Sequence, residues 1–155
     1  MLELDVADYL PWESSKALPL VQKACEKLDQ GKRVVLASGY QPSAVERAKE
    51  TGAKLGLTPV QVSESIAEIL GWIGERILRE KPVAGVILTG GDTAVSVCRA
   101  LGVTGIRILE EVVPAIPLGE MKTDDGKLLR VVTKAGAFGN ADALVIATRR
   151  LQKRK

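Results

Sequence analysis

Short apolar runs alternate along this chain with longer segments in which apolar residues recur every three or four positions. Residues 34–37 and 86–88 are apolar without a polar residue at every second position, which is typical of strands covered on both faces of a parallel sheet. Between these runs, residues 66–77 carry isoleucine and leucine at the spacing of one helix face. This alternation restricts the chain to α/β folds.

Hydrophobic spacing and chain breakers predict the individual elements. Helices are predicted over 15–30, 43–51, 63–80, 92–101 and 140–153, and strands over 33–38, 83–89, 105–109, 116–121 and 127–133. Ser63 is favoured over Thr58 as the cap of the longest helix, because the helical spacing begins there. Asp125-Gly126 between the last two strands is typical of a hairpin turn. Pro117 favours an edge position for the first of these two strands.

Three strand-to-helix steps followed by a hairpin predict a three-layer α/β sandwich with a mostly parallel sheet, helices on both faces and a C-terminal β-hairpin. We expect residues 1–155 to form a single domain. Ligands of such sheets bind outside the carboxyl ends of the strands. The segments 38–43, 89–93 and 133–140 occupy such positions.

The composition excludes several classes of site. The chain has no histidine, which excludes Ser-His-Asp and Cys-His catalysis and histidine-ligated zinc within it. Cys25 and Cys98 show no Cys-x-x-Cys spacing, so we expect two buried hydrophobic residues and no metal site. Aromatic residues make up only 3% of the chain, and five of the 22 Lys and Arg residues fall within the last seven positions. An extended nucleic-acid surface is therefore not expected, and the basic tail is interpreted as a solvated helix end.

No apolar run approaches the ~20 residues that span a bilayer. Glu3, Asp5 and Asp8 stand where a signal peptide would carry Lys or Arg. We therefore expect a cytoplasmic protein that has no membrane partner.

The stretch Val86-Ile-Leu-Thr-Gly-Gly-Asp-Thr-Ala94 runs from a predicted strand through two glycines into a predicted helix. Glycines here let a phosphate approach the backbone, and the helix N-terminus favours an anion. Thr89 and Thr93 add hydroxyl donors. Asp92 either caps the helix, which is the simpler interpretation, or holds a magnesium ion between itself and a phosphate. An ordinary strand-to-helix turn is the alternative for the whole stretch.

The stretch Thr133-Lys-Ala-Gly-Ala-Phe-Gly-Asn140 has the same organisation and includes a lysine. Lys134 is a candidate to neutralise phosphate; the alternative is a solvated lysine beside a tight Gly136 and Gly139 connection. Neither stretch is a Walker A loop or a Gly-x-Gly-x-x-Gly fingerprint. The remaining candidate, Ser38-Gly-Tyr-Gln41, contains only turn formers and one tyrosine.

Taken in order, Leu88-Thr-Gly-Gly-Asp-Thr-Ala94 and Thr133-Lys-Ala-Gly-Ala-Phe-Gly139 resemble the nucleotide-binding C-terminal domain of the four-carbon acid sugar kinase family. Asp142-Ala-Leu144 adds to the resemblance. It implies ATP-dependent phosphorylation of acids such as threonate and erythronate, with the acid-sugar site largely on an N-terminal domain. It further implies ATP or ADP, with magnesium, as the cofactor, and phosphate contacts at Gly90, Gly91, Asp92, Thr93, Lys134, Gly136 and Gly139.

The family's Asp-Asp-x-Thr-Gly substrate motif has no counterpart, because Asp124-Asp125-Gly126 lacks the threonine and lies in a predicted turn. We therefore expect a fragment or split half of a two-domain kinase, which needs an N-terminal acid-sugar-binding domain in cis or in trans; a degenerate relative is the alternative. No catalytic residue is assigned. Two alternatives remain open: a noncatalytic nucleotide-sensing or interaction module, and an anion-binding domain for another phosphorylated metabolite.

Overall fold

The structure is a computed structural model that describes residues 1–39, 41–136 and 138–152. The chain divides into two compact units, Met1–Lys81 and Pro82–Lys155, and each is described by itself. Every helix among the described residues is too short or too polar to cross a membrane.

Among its described residues, the first unit combines a two-stranded parallel sheet with three α-helices and a 3-10 helix over Val6–Tyr9. The strands are β1 (Leu2–Leu4) and β2 (Leu36–Ser38), and the helices are α1 (Ser14–Asp29), α2 (Pro42–Lys54) and α3 (Pro59–Glu80). Apolar residues at helical spacing on α1 and α3, including Val21 and Ile73, are buried in one core together with Leu4 of β1. The amphipathic spacing of the sequence thus places the two longest helices against the same core.

The strand predicted over 33–38 is shorter in the structure, and the prediction that both of its faces are buried is wrong. Only Leu36–Ser38 pairs, and Val35 is 56% exposed. The partner β1 is three residues long, which limits the paired length. β1 was not predicted, because three residues around Glu3 are too few to show strand alternation.

Helix α3 begins after Thr58, so the choice of Ser63 as its cap is wrong. The Gln61 N–H donates to Thr58 Oγ1 at 3.3 Å, and the Thr58 N–H donates to Gln61 Oε1 at 2.8 Å. This reciprocal pair is a capping box. The Ser63 hydroxyl instead donates to the Pro59 carbonyl inside the helix.

The second unit has a four-stranded sheet in the order β3-β6-β5-β4 and two helices. The strands are β3 (Val86–Thr89), β4 (Ile106–Val113), β5 (Ile116–Lys122) and β6 (Leu128–Lys134), and the helices are α4 (Gly91–Ala100) and α5 (Ala143–Gln152). β3 and β6 are parallel, whereas β6, β5 and β4 pair antiparallel. Ala147 of α5 packs with Leu118 and Val132 in a core on one sheet face.

The predicted α/β class is confirmed, and each sheet contains a parallel pair. The C-terminal hairpin is also confirmed, with Gly126 at φ +86° in its turn. The antiparallel part of the sheet is larger than the sequence indicated. The strand predicted over 105–109 extends to Val113 and forms a hairpin with β5.

The edge position predicted from Pro117 is wrong, because β5 lies between β6 and β4. Pro117 faces Glu111, next to a shift in the β4–β5 register. An irregular ladder is where a sheet tolerates a residue without an N–H donor.

The two serine or threonine caps considered for α3 can be told apart by mutation. We expect Thr58→Ala to lower the free energy of unfolding by about 1 kcal/mol, because it removes the capping box. Ser63→Ala should change it by less than about 0.5 kcal/mol, since its bond lies within the helix. Urea unfolding followed by the fluorescence of Trp12 and Trp72, both in the first unit, measures the difference. Equal losses would contradict the assignment of Thr58.

Candidate functional site

The two glycine-containing stretches lie next to each other at one end of the sheet. Thr89 and Lys134 are opposite each other at the carboxyl ends of the parallel strands β3 and β6. The Gly90 N–H donates to the Lys134 carbonyl at 2.9 Å. These observations confirm that the predicted segments 89–93 and 133–140 begin at the same end of the sheet, where β3 and β6 have their carboxyl ends.

The first stretch turns directly from β3 into α4. Gly90 stands at the N-cap with φ +93°, a conformation that favours glycine, and provides no side-chain cap. The first amides of α4 have no partner within the helix. A Cβ added at Gly91 would meet no atom within 4 Å. The backbone at the start of α4 is therefore open to an approaching group.

Asp92 does not cap α4, so the simpler interpretation of this residue is wrong. Gly90 occupies the N-cap, and Asp92 is exposed within the first helical turn. The sequence pattern did not distinguish a helix cap at Asp92 from one at Gly90. Gly90, at φ +93°, ends the loop two residues before Asp92. Thr93, on the same turn, is half-buried.

The second stretch is organised around the Lys134 side chain. Its Nζ donates to the Ala135 carbonyl at 3.1 Å and to the Gly136 carbonyl at 2.8 Å. The Phe138 N–H donates to the same Ala135 carbonyl at 3.2 Å. The ammonium of Lys134, a half-buried residue, is therefore hydrogen-bonded within its own loop. Ala137 lies outside the described residues.

The two glycines of this stretch differ in their surroundings. Gly139 has φ +87°, and a Cβ there would lie 2.8 Å from both Ala143 Cβ and Ile116 Cδ1. A Cβ at Gly136 would meet no atom within 4 Å. Gly139 is thus required by the packing of the loop, whereas Gly136 leaves open space beside the backbone.

The closing helix begins at Ala143, three residues after its predicted start. Asn140 Oδ1 accepts from the Asp142 N–H at 3.2 Å, which supports the predicted role of Asn140 at the helix start. The interpretation of the basic end as solvated is wrong for Arg150, whose guanidinium pairs with Glu110 of β4. Residues 153–155 lie outside the described part of the chain.

The cysteines are only partly as predicted. Cys25 is buried, whereas Cys98 on α4 is half-buried. Burial raises the pKa of both thiols above the ordinary value, which disfavours the reactive thiolate.

The first unit contains a cavity of about 320 Å³ that the sequence did not assign. It lies where β1 and β2 end, and Asp5, Asp8, Gln41 and Ser43 contribute to its lining. Arg47 on α2 forms ion pairs with Asp5 at 2.8 Å and Asp8 at 3.2 Å. The sequence signal for this cavity was the position of segment 38–43 at the end of a predicted strand. Tyr40 of that segment lies outside the described residues.

Comparison with known proteins gives a family match and several curated relatives. The family described as "Nucleotide-binding C-terminal domain" matches residues 1–144. A D-threonate kinase of Salmonella typhimurium is 33% identical over 125 residues, which cover 81% of this chain and 30% of the relative. A D-erythronate kinase of Heliobacterium modesticaldum is 28% identical over 145 residues, covering 86% of this chain and 31% of the relative. The chain thus spans about a third of the length of these relatives.

Solved structures show the same fold. A Bordetella bronchiseptica protein, described as a domain of unknown function and crystallised with citrate as a domain-swapped dimer, is 25% identical. It matches 99% of this chain and 35% of its own length, with a TM-score of 0.68. A Haemophilus influenzae protein matches 97% of this chain and 34% of its own with a TM-score of 0.74, and at 22% identity it shows the fold alone.

The different surroundings of the two loop glycines predict different mutational costs. Gly139→Ala should lower the free energy of unfolding by about 1–3 kcal/mol, because it combines a strained φ with two close contacts. Gly136→Ala, in the same loop, should change it by less than about 0.5 kcal/mol. Urea unfolding followed by circular dichroism compares the variants. A similar cost at both positions would contradict the packing role of Gly139.

Proposed function

We propose that this chain, which belongs to the nucleotide-binding C-terminal domain family of the four-carbon acid sugar kinases, binds ATP or ADP as the nucleotide half of such an enzyme. The observation that carries the proposal is the hydrogen bond between the Gly90 N–H and the Lys134 carbonyl. It joins two loops, each between a strand and a helix start, at the end of a sheet where ligands of α/β proteins bind.

The first loop supplies donors for a phosphate chain. The amides at the start of α4 and the positive end of its dipole favour an anion. The space beside Gly91 admits phosphate oxygens to hydrogen-bonding distance of the backbone. Thr89 is exposed and Thr93 half-exposed, and each has a hydroxyl that can donate to a phosphate.

The second loop completes the proposed binding site. Gly136 leaves the backbone accessible, while Gly139 sets the path of the chain into the next helix. Lys134 adds a positive charge at the same end of the sheet as the first loop. Together the two loops provide amides and hydroxyls for a di- or triphosphate, with one ammonium nearby.

A magnesium ion explains why a carboxylate stands beside these donors. The Asp92 carboxylate would repel a phosphate that contacts it directly. Because Asp92 does not cap α4 and is exposed, its carboxylate can instead bind a cation. The described residues contain no group of three or more potential carboxylate or thiolate ligands. Magnesium in kinases keeps several waters and takes one or two carboxylates together with substrate phosphates. Asp92 is the residue that we propose to hold it, and the ion would neutralise phosphate charge.

Phosphoryl transfer depends mainly on positioning and charge stabilisation, which are the properties this site offers. The relatives named for D-threonate and D-erythronate suggest a four-carbon sugar acid as acceptor. We propose that the acceptor is held by an N-terminal acid-sugar-binding domain, in cis or in trans, in the cytoplasm.

A valine at Gly91 tests the backbone site directly. Gly91→Val should weaken ADP binding at least tenfold, because the side chain occupies the space proposed for phosphate. Gly105→Val is the matched control, since a Cβ there also meets no atom within 4 Å and Gly105 precedes β4 at the other end of the sheet. Titration calorimetry measures both affinities. Equal weakening by the two variants would contradict a local phosphate site.

Because the proposed nucleotide and acceptor sites lie on different domains, we predict that this chain alone binds nucleotide without transferring phosphate. The 155-residue chain should bind ADP and ATP, yet release no ADP from ATP when threonate or erythronate is added. Addition of the proposed N-terminal domain should restore turnover. A coupled ADP-release assay and a binding titration test the two parts separately. Acceptor-dependent turnover by the chain alone would reject the need for a second domain, and absence of nucleotide binding would reject the proposal itself.

A further inference from the structure

The Lys134 ammonium is already engaged within its own loop. Two of its three donors bond to the carbonyls of Ala135 and Gly136, at 3.1 and 2.8 Å. Those distances are ordinary for hydrogen bonds. The positive charge is therefore placed against carbonyl oxygens of the chain.

The geometry of the peptide bond determines where the neighbouring amide points. In a trans peptide the carbonyl oxygen and the N–H lie on opposite sides of the C–N bond. The Ala135 carbonyl shares its peptide plane with the Gly136 N–H. Because that carbonyl is turned toward the ammonium, the Gly136 N–H is directed away from it.

We propose that Lys134 is a positioning residue, which orients the Gly136 amide toward the nucleotide phosphate instead of contacting that phosphate itself. This inference rests on the proposed nucleotide site. A phosphate on the Gly136 N–H lies on the opposite side of the C–N bond from Nζ, beyond the length of a hydrogen bond. It revises the direct phosphate contact that the sequence resemblance implied for Lys134.

The same residue also links the second loop to the first. Its carbonyl accepts from the Gly90 N–H, while its side chain holds the two carbonyls that follow it. The backbone of Lys134 thus fixes the first loop and its ammonium fixes the second. A cation on the Ala135 carbonyl also polarises the peptide, which makes the Gly136 N–H a stronger donor.

Hydrogen exchange at Phe138 reports the orientation of this peptide without any ligand. The Phe138 N–H donates to the Ala135 carbonyl, which is the carbonyl that Lys134 holds. Lys134→Met should therefore speed exchange of the Phe138 amide at least tenfold. Lys134→Arg keeps the charge and the donors and should restore slow exchange. Lys122→Met removes an exposed lysine at the opposite end of the sheet and should leave exchange of the Phe138 amide unchanged.

Calorimetry with ADP at low and high salt supplies the functional readout. Lys134→Met should weaken ADP about tenfold, while the slope of log Kd against log salt concentration stays equal to that of Lys122→Met. Lys134→Arg should retain most of the affinity. Thermal unfolding of each variant verifies that the fold is kept.

The outcomes separate the two proposals. Unchanged Phe138 exchange in Lys134→Met, with weaker ADP binding and a reduced salt slope, would overturn positioning in favour of direct contact. Unchanged exchange and unchanged affinity would overturn any role of Lys134 in the site. If the unaltered chain does not bind ADP, the proposed function fails, while Phe138 exchange still decides whether Lys134 orients the loop.

Discussion

The parallel pairing of β3 with β6 is the interaction on which the candidate site depends. It brings together two loops that are far apart in sequence, and the bond from the Gly90 N–H to the Lys134 carbonyl continues the pairing past the last strand residue. The first loop alone provides a few amides and two hydroxyls, and the second provides a few amides and one ammonium. The pairing places these groups side by side at one end of the sheet.

The start of α5 was predicted three residues too early. Local sequence was sufficient to predict the junction from β3 to α4, because the apolar run ends beside Gly90, which has a positive φ. The hairpin turn was predicted for the same reason. The antiparallel direction of β4 was not predicted, since a short strand after a helix has the same apolar pattern whether it pairs parallel or antiparallel. The three-residue β1 depends on its partner β2 and leaves no periodic pattern in the sequence.

Side-chain roles at the site were harder to predict than positions. For Asp92 the spacing indicated a helix cap, but a glycine occupies that position. For Lys134 it indicated either a phosphate contact or solvation, and it did not indicate the two bonds to carbonyls of its own loop. Both outcomes were decided by backbone geometry: a glycine at the N-cap in the first case and two carbonyls within reach in the second. Such geometry follows from tertiary pairing and cannot be derived from residue type.

The connectivity of the second sheet has a consequence for how the site assembles during folding. β4, β5 and β6 follow one another along the chain and pair through hairpins, whereas α4, β4 and β5 separate β3 in sequence from its partner β6. Local pairings close short loops and form early, while distant ones carry a larger entropic cost and form late. We therefore expect the meander of β4 to β6 to form first, and the two loops to meet only when β3 docks on β6.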